Sequence, residues 1–360
     1  MAIENQDNTQ KILRSLRGRN IIAPIVLGFA VVVYLFWDEF DLKAFKLVTF
    51  TSATVAFIIC AFGMMLLRDI GYIIRIKILA GNSLTWKQCT RIIFLWEFAS
   101  AVTPSAVGGT SVAVFFLYKE KISMGKSTAI VMATAFLDEL YFLCMFPLMI
   151  LIFNSSALFS VSTIGTSGSW QTEFLYFAII GYSLKALFTI LIFYGLFINP
   201  RGAKVFLFTI FKLRFLRKWQ RGVVKTGNDL VLASHEFKSK PFIFWVKAFA
   251  STFVSWTARY WVVNFIFLAF FVVPDHFIIF AKQLVMWIMM IVSPTPGGSG
   301  FSEFIFSQFL GEFIPYVTLV PILAILWRLI SYYPYLFIGV FLIPMWIKNK
   351  FSKQSSEEIQ

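Results

Sequence analysis

Apolar residues along the 360-residue chain fall into long unbroken runs rather than at alternate positions. Runs at about 21–37, 47–67, 127–153, 174–198, 242–273 and 315–347 are close to or above the ~20 residues that carry a helix across a bilayer. Two more apolar stretches, 92–118 and 277–311, are each interrupted by Pro and Gly. A membrane β-barrel would need alternating apolar and polar positions, and these runs do not alternate. The pattern predicts an all-α polytopic membrane protein.

The interruptions carry the most information. "VTPSAVGG" (Val102–Gly109) and "VSPTPGGS" (Val292–Ser299) align at an offset of 190 residues, with Trp96 and Trp287 ahead of them. Each has the strongest helix breakers between apolar flanks: Pro104, Gly108 and Gly109 in the first, and Pro294, Pro296, Gly297, Gly298 and Gly300 in and after the second. A span, a broken segment and a span thus occur twice, as in an inverted-topology repeat whose site lies at the discontinuous helices. Broken backbone at membrane depth is tolerated only inside protein or beside a wet cavity. Helices restarting near Thr110 and Ser302 would offer positive N-terminal ends to an anion. The alternative is a pair of structural kinks.

Basic residues sort the connecting segments. The N-terminal tail has four (Lys11, Arg14, Arg17, Arg19), segment 68–91 five, 119–126 three, 199–241 ten and the C-terminal tail three, while 154–173 and 274–281 have none. Positive-inside counting places both termini in the cytoplasm, in a cell (cytoplasmic or inner) membrane. Residues 1–20 then form a basic cytoplasmic tail, 21–347 the transmembrane domain with cytoplasmic loop 199–241, and 348–360 a second cytoplasmic tail. About six full spans with two oppositely oriented re-entrant hairpins satisfy the count, and eight full crossings are the alternative. The first run lacks an evident cleavage site and reads as a retained anchor.

Composition narrows the function. The chain is 59% hydrophobic and carries a net charge of +14. The basic, aromatic segment Lys204–Lys225 reads as an interfacial helix on an anionic leaflet, so the positive charge is not assigned to nucleic acid. Three scattered cysteines and two distant histidines suggest neither a disulfide framework nor a metal site. No phosphate-binding loop, nucleophile elbow or zinc-helix motif occurs, and no cofactor is expected.

Ionisable groups inside a membrane are costly, by about 2.5–3.5 kcal/mol on insertion scales, and are functional candidates by default. Here they are Lys185, Lys247, Arg259, Lys282 and Arg328 on the basic side, with Glu97, Asp138, Glu139 and Glu303 on the acidic side. Lys247 lies near a span end and can snorkel. The expected substrate-binding set is Arg259, Arg328, Glu303, Glu97, Asp138, Glu139 and Lys282. Arginine suits bidentate phosphate contact, and the alternative is an Arg–carboxylate pair closing the bundle. Glu303 would either neutralise a helix dipole or meet an ammonium group.

The segments "TPSAVGGTSVAVFFLYKEKISMGKSTA" (Thr103–Ala129), "PTPGGSGFSEFIF" (Pro294–Phe306) and "LWRLISYYPYLFIG" (Leu326–Gly339) resemble the flippase-like transmembrane region of the lysylphosphatidylglycerol synthases. The resemblance covers roughly residues 20–345 and implies a helical bundle that moves a phospholipid or lipid-linked headgroup between leaflets. The implied partner is a membrane phospholipid with an anionic or zwitterionic headgroup, and homo-oligomer formation stays open. The chain ends at "KNKFSKQSSEEIQ", where the bifunctional synthases continue into a soluble domain, so transferase chemistry is not expected. Asp138-Glu139 departs from the Glu/Arg pattern of many relatives. A membrane-embedded lipid-modifying enzyme and a small ion or solute carrier are the competing readings.

Overall fold

The structure, a computed structural model, describes residues 50–103, 105–160, 171–202, 205, 209, 220–290, 297, 298 and 300–357. The described chain is helical. In order the helices are α1 (Ser52–Ala80), α2 (Trp86–Val102), α3 (Ser105–Lys119), α4 (Met124–Ile152), α5 (Gln171–Phe193), α6 (Gln220–Lys238), α7 (Phe242–Phe270), α8 (His276–Met289), α9 (Phe301–Leu310), α10 (Val320–Ser331) and α11 (Tyr333–Glu357). Among the described residues five segments are long and apolar enough to cross a membrane: Ser52–Ser83, Met124–Ile152, Phe174–Ile198, Phe242–Phe270 and Val317–Trp346. The protein is an all-α polytopic membrane protein. The predicted span 21–37, the N-terminal tail and most of the basic segment 204–225 lie outside the described residues.

Helix α1 departs most from the sequence pattern. Its start is fixed by Thr51, whose hydroxyl accepts from the Thr54 N–H. Its end is fixed by Gly81 at φ 58°, a conformation glycine adopts without a Cβ penalty. Lys77 then ties the turn, donating to the carbonyls of Gly81 at 2.9 Å and Leu84 at 2.6 Å. Its 29 residues extend about 43 Å at 1.5 Å per residue, against about 30 Å of hydrocarbon. Much of segment 68–91, expected as a basic loop, is therefore helix. Arg68 and Arg75 are buried in it, while Lys77 lies in its last turn and Lys87 and Arg91 in the first turns of α2. Val55, Ile59, Phe62, Leu66 and Ile70 are exposed on the opposite side of α1 at helical spacing, an apolar stripe suited to lipid.

Helices α1 and α7 pack along their length, and they run antiparallel. Phe50 meets Phe270, Phe57 meets Phe265, Gly71 lies against Ser251 and Ser255, and Arg75 reaches Thr252. The absence of a side chain at Gly71 permits the approach, because a Cβ there would lie 2.8 Å from the Ser251 carbonyl oxygen.

This pair relates the two halves of the bundle. Ser52 and Phe242 begin α1 and α7 and differ by 190 residues, as do Trp86 and His276, which begin α2 and α8; α1 and α7 are each 29 residues long. Packing follows the same rule. α1 touches α2 and α4 as α7 touches α8 and α10; α4 lies on α8 as α11 lies on α2; α4 touches α7 as α10 touches α1. Equivalent helices running antiparallel make the repeat an inverted one. The halves differ in one respect: α4 is continuous, whereas its counterpart breaks between α10 and α11 at Tyr332 (φ −131°, ψ −55°).

Candidate functional site

The first broken segment is a tight hairpin of α2 and α3. Helix α2 stops at Thr103, whose hydroxyl donates back to the Ala99 carbonyl at 2.7 Å. At the other end Glu120, just past α3, accepts from Arg91 at 2.7 Å and Gln88 at 2.9 Å. The chain therefore leaves and returns at one end. Gly108 and Gly109, expected in the turn, instead lie in α3, which restarts at Ser105 rather than near Thr110. Gly109 serves close packing: a Cβ there would lie 2.8 Å from Cα of Ser100 on α2. Pro104 lies outside the described residues.

The second hairpin is α8 and α9, closed by Lys282 on α8 and Glu312 just beyond α9. Lys282 is fully buried and also donates to the Ser160 carbonyl at 2.6 Å and hydroxyl at 2.8 Å. It is a structural tie in this arrangement. Pro294 and Pro296 lie outside the described residues, but Gly297, Gly298 and Gly300 follow at φ 58°, 71° and 82°. These are left-handed conformations that favour glycine. Glu303 then caps α9, accepting from the Gly300 N–H at 2.7 Å and the Ser302 hydroxyl at 2.9 Å. The positive end of this helix, expected to face an anion, is thus occupied by the chain's own carboxylate.

The two tips meet at Tyr332. Its hydroxyl donates to the Ala101 carbonyl in the first hairpin at 2.9 Å, and its ring lies against Gly297 in the second, filling the space a Cβ would need. Arg328, one turn earlier, stacks on the same ring at 3.8 Å. Its Nε lies 2.9 Å from Glu303 Oε1, and its Nη2 donates to the Gly297 carbonyl at 2.9 Å. Two residues proposed for substrate thus form a buried pair fastening the second tip.

A second polar layer crosses the bundle beside this junction. Arg68 pairs with its neighbour Asp69 at 2.9 Å and with Glu97 of α2 at 2.5 Å, while Tyr335 of α11 donates to both Asp69 oxygens at 2.9 Å. Arg75 holds Asp138 of α4, which also accepts from Trp256 Nε1 at 2.6 Å. The Tyr72 ring lies between the two guanidinium groups, 4.7 Å from that of Arg68 and 4.6 Å from that of Arg75. Adjacent Asp138 and Glu139 point to different partners, as their ~100° separation on a helix requires. Glu139 takes the Lys185 ammonium at 2.9 Å, and that ammonium sits 3.1 Å from the Trp287 ring centre.

Arg259 differs from all of these. Arg68, Arg75, Lys185, Lys282 and Arg328 each hold a carboxylate. Among the described residues Arg259 pairs with none and only overlies Trp256 at 5.6 Å. It lies on the inward side of α7 with Thr252, Ser255, Val262 and Val263, all buried, opposite the exposed Val246, Phe253 and Val254. Arg259 is nonetheless partly exposed.

Sequence reasoning missed Arg68, Asp69, Arg75, Tyr332 and Tyr335. The signal available for Arg68 and Arg75 was their seven-residue spacing in a segment that stays apolar to Ala80, which puts both on one helical face.

The pattern of the family described as lysylphosphatidylglycerol synthase TM region matches residues 21–339. The chain belongs to this family. The match runs from the first predicted span into α11. One relative, a UPF0104 membrane protein of Archaeoglobus fulgidus, is 25% identical over 306 residues, covering 78% of this chain and 84% of the relative. No solved structure matches the chain.

Proposed function

We propose that this member of the lysylphosphatidylglycerol synthase TM region family carries a phospholipid or lipid-linked headgroup between leaflets. The observation that supports it most is the meeting of two oppositely directed broken helices at Tyr332. An inverted repeat with its discontinuities at one internal place is the arrangement of alternating-access carriers. The family's printed name adds a lipid bearing phosphate and amine. Arg259 is an arginine on the inward side of α7 paired with no described carboxylate, and guanidinium binds phosphate well. Asp138, about one-fifth exposed, is the carboxylate an amine would meet. In this reading both termini are cytoplasmic, α2–α3 enters from the cytoplasm and α8–α9 from outside.

The test uses purified protein in liposomes carrying a headgroup-labelled lipid and an external quencher. Accelerated loss of the protected fraction is expected for an anionic or zwitterionic phospholipid, slowed by Arg259→Ala at unchanged thermal stability. No acceleration over empty liposomes for any headgroup, native extracts included, would sink the reading. Conversion of the lipid to a new species would favour an enzyme, and solute uptake without lipid movement a solute carrier.

A further inference from the structure

Arg68 is asked to neutralise two carboxylates. Asp69 lies 2.9 Å from one terminal nitrogen and Glu97 2.5 Å from the other. The neighbouring cations are committed elsewhere: Arg75 to Asp138, and Lys185 to Glu139. Arg259, beyond Trp256, pairs with none of these acids. Three paired cations thus face four carboxylates, and the surplus negative charge belongs to the Asp69–Arg68–Glu97 unit. The other titratable groups around the unit are Tyr72 and Arg75 on α1, Asp138 on α4 and Tyr335 on α11. None of them adds a free positive charge. Arg68 itself is 1% exposed, and its Nε has no hydrogen-bond partner among the described residues. Two carboxylates held around one guanidinium in a poorly solvated site leave one negative charge uncompensated, which uptake of one proton would neutralise.

We propose that Asp69, Arg68 and Glu97 form a proton-binding site that couples lipid movement to proton movement, a reading that rests on the translocation proposed above. Glu97, bound to Arg68 in the structure, is the member that takes up the proton. Asp69 accepts from two donors, the one Tyr335 hydroxyl shared between both of its oxygens and Arg68 on one of them, which is the role of a carboxylate. Among the described residues Glu97 is hydrogen-bonded by Arg68 alone, and it is the more open member at 20% side-chain exposure against 7% for Asp69.

The site is wired to the junction of the hairpin tips. Glu97 precedes Ala101 by four residues on α2, and Tyr335 of α11 follows Tyr332, at the break before that helix, by three. The same two helices are therefore stitched twice, one turn apart: by the Tyr332–Ala101 hydrogen bond and by the Glu97–Arg68–Asp69–Tyr335 chain. With Glu97 ionised, α2 is held to α1 and, through Asp69, to α11. A proton on Glu97 removes the charged bond, loosens α2 and releases the first tip from Tyr332.

Infrared difference spectroscopy of the whole purified protein during a pH titration tests the site without transport. A carbonyl band of a protonated carboxylic acid should titrate in the native chain and be missing from Glu97→Gln, while Glu139→Gln keeps it. In liposomes, an imposed pH difference should change the native rate of lipid movement several-fold and leave Glu97→Gln unmoved. A band unaffected by Glu97→Gln, or a response to sodium in place of pH, overturns the proposal. If Glu97→Gln does not fold, Tyr335→Phe decides: it removes a donor to the Asp69 carboxylate and should displace the titration midpoint by about one pH unit. An unmoved midpoint overturns the proposal equally. Lipid movement indifferent to pH, with no titrating band, removes the proton site and leaves translocation standing. A band that depends on Glu97, with no lipid movement, does the reverse.

Discussion

Arg328 and Arg259 read alike in the sequence, yet replacing them should have different consequences. Arg328 is 7% exposed at its side chain and faces Glu303, whose side chain is fully buried, at 2.9 Å. Arg328→Ala removes the counter-charge of that carboxylate, a donor to the Gly297 carbonyl and one face of the Tyr332 stack. Breaking a buried pair by removing one partner costs about 3–5 kcal/mol, because the remaining charge is uncompensated. Arg259→Ala removes a contact with Trp256 and orphans no described carboxylate, and a cation–π contact of that kind is worth about 0.5–1 kcal/mol. The variants should therefore differ by at least ~2 kcal/mol although each removes one positive charge.

Polytopic proteins commonly unfold irreversibly, so the measurement is the half-life of monodisperse protein in detergent at a fixed temperature. Arg328→Ala should shorten it severely and Arg259→Ala little. The double variant Arg328→Met with Glu303→Leu should recover most of the loss, since removing both charges leaves none buried alone. Equal half-lives for the two single variants, or a double variant worse than the two singles combined, would refute the claim that this pair fastens the second tip.

Gly297→Leu should abolish lipid movement and shorten the half-life, because φ 58° is strained for leucine and the side chain would displace Tyr332; a tolerated leucine would mean the junction is not needed. Gly109→Leu should wedge α3 from α2 at Ser100, read as faster proteolysis of the hairpin, and an unchanged digest would contradict the packing. Single cysteines at Ser155 and Thr226, with the three native cysteines replaced, should label from opposite faces of intact cells, and one at Lys121 should follow Thr226. Labelling of Lys121 from outside would favour eight crossings.

Element type was legible in the sequence because long apolar runs and Pro-Gly interruptions are local signals. The 190-residue offset between two short motifs carried the inverted repeat, and the helix starts at Ser52, Phe242, Trp86 and His276 keep it. Charge placement was not legible. Arg68 was read as the start of a loop because a charge ordinarily ends a span. Its burial depends on Glu97, 29 residues away, and on Tyr335 holding Asp69 from 266 residues away. Arg75 likewise needs Asp138, 63 residues distant. Partners on other helices leave no trace in a local hydropathy pattern, although they decide whether a buried charge is affordable. Glu303 was legible as a helix cap from its place after the glycines, whereas its pairing with Arg328 required the fold.

The repeat keeps the scaffold and changes the chemistry at equivalent places. At the 190-residue offset, Asp138 corresponds to Arg328, Phe142 to Tyr332 and Glu97 to Trp287. Where the first half holds a carboxylate bound to Arg75, the second holds an arginine bound to Glu303. Each half also lends an aromatic ring to the other half's hairpin: Phe142 stacks on Trp287 at 3.5 Å, and Tyr332 bonds to Ala101. The backbones carrying those rings differ, since α4 runs unbroken through Phe142 and its counterpart breaks at Tyr332. Two halves of one fold therefore occupy two conformations in the same molecule. In alternating-access carriers built as inverted repeats one repeat rocks or gates against the other around a fixed site, and under the proposed function exchange of the two conformations would be that movement. The break at Tyr332, one turn from the Tyr335 link to Asp69 and Arg68, is where such an exchange would be felt by both the hairpin tips and the buried charges.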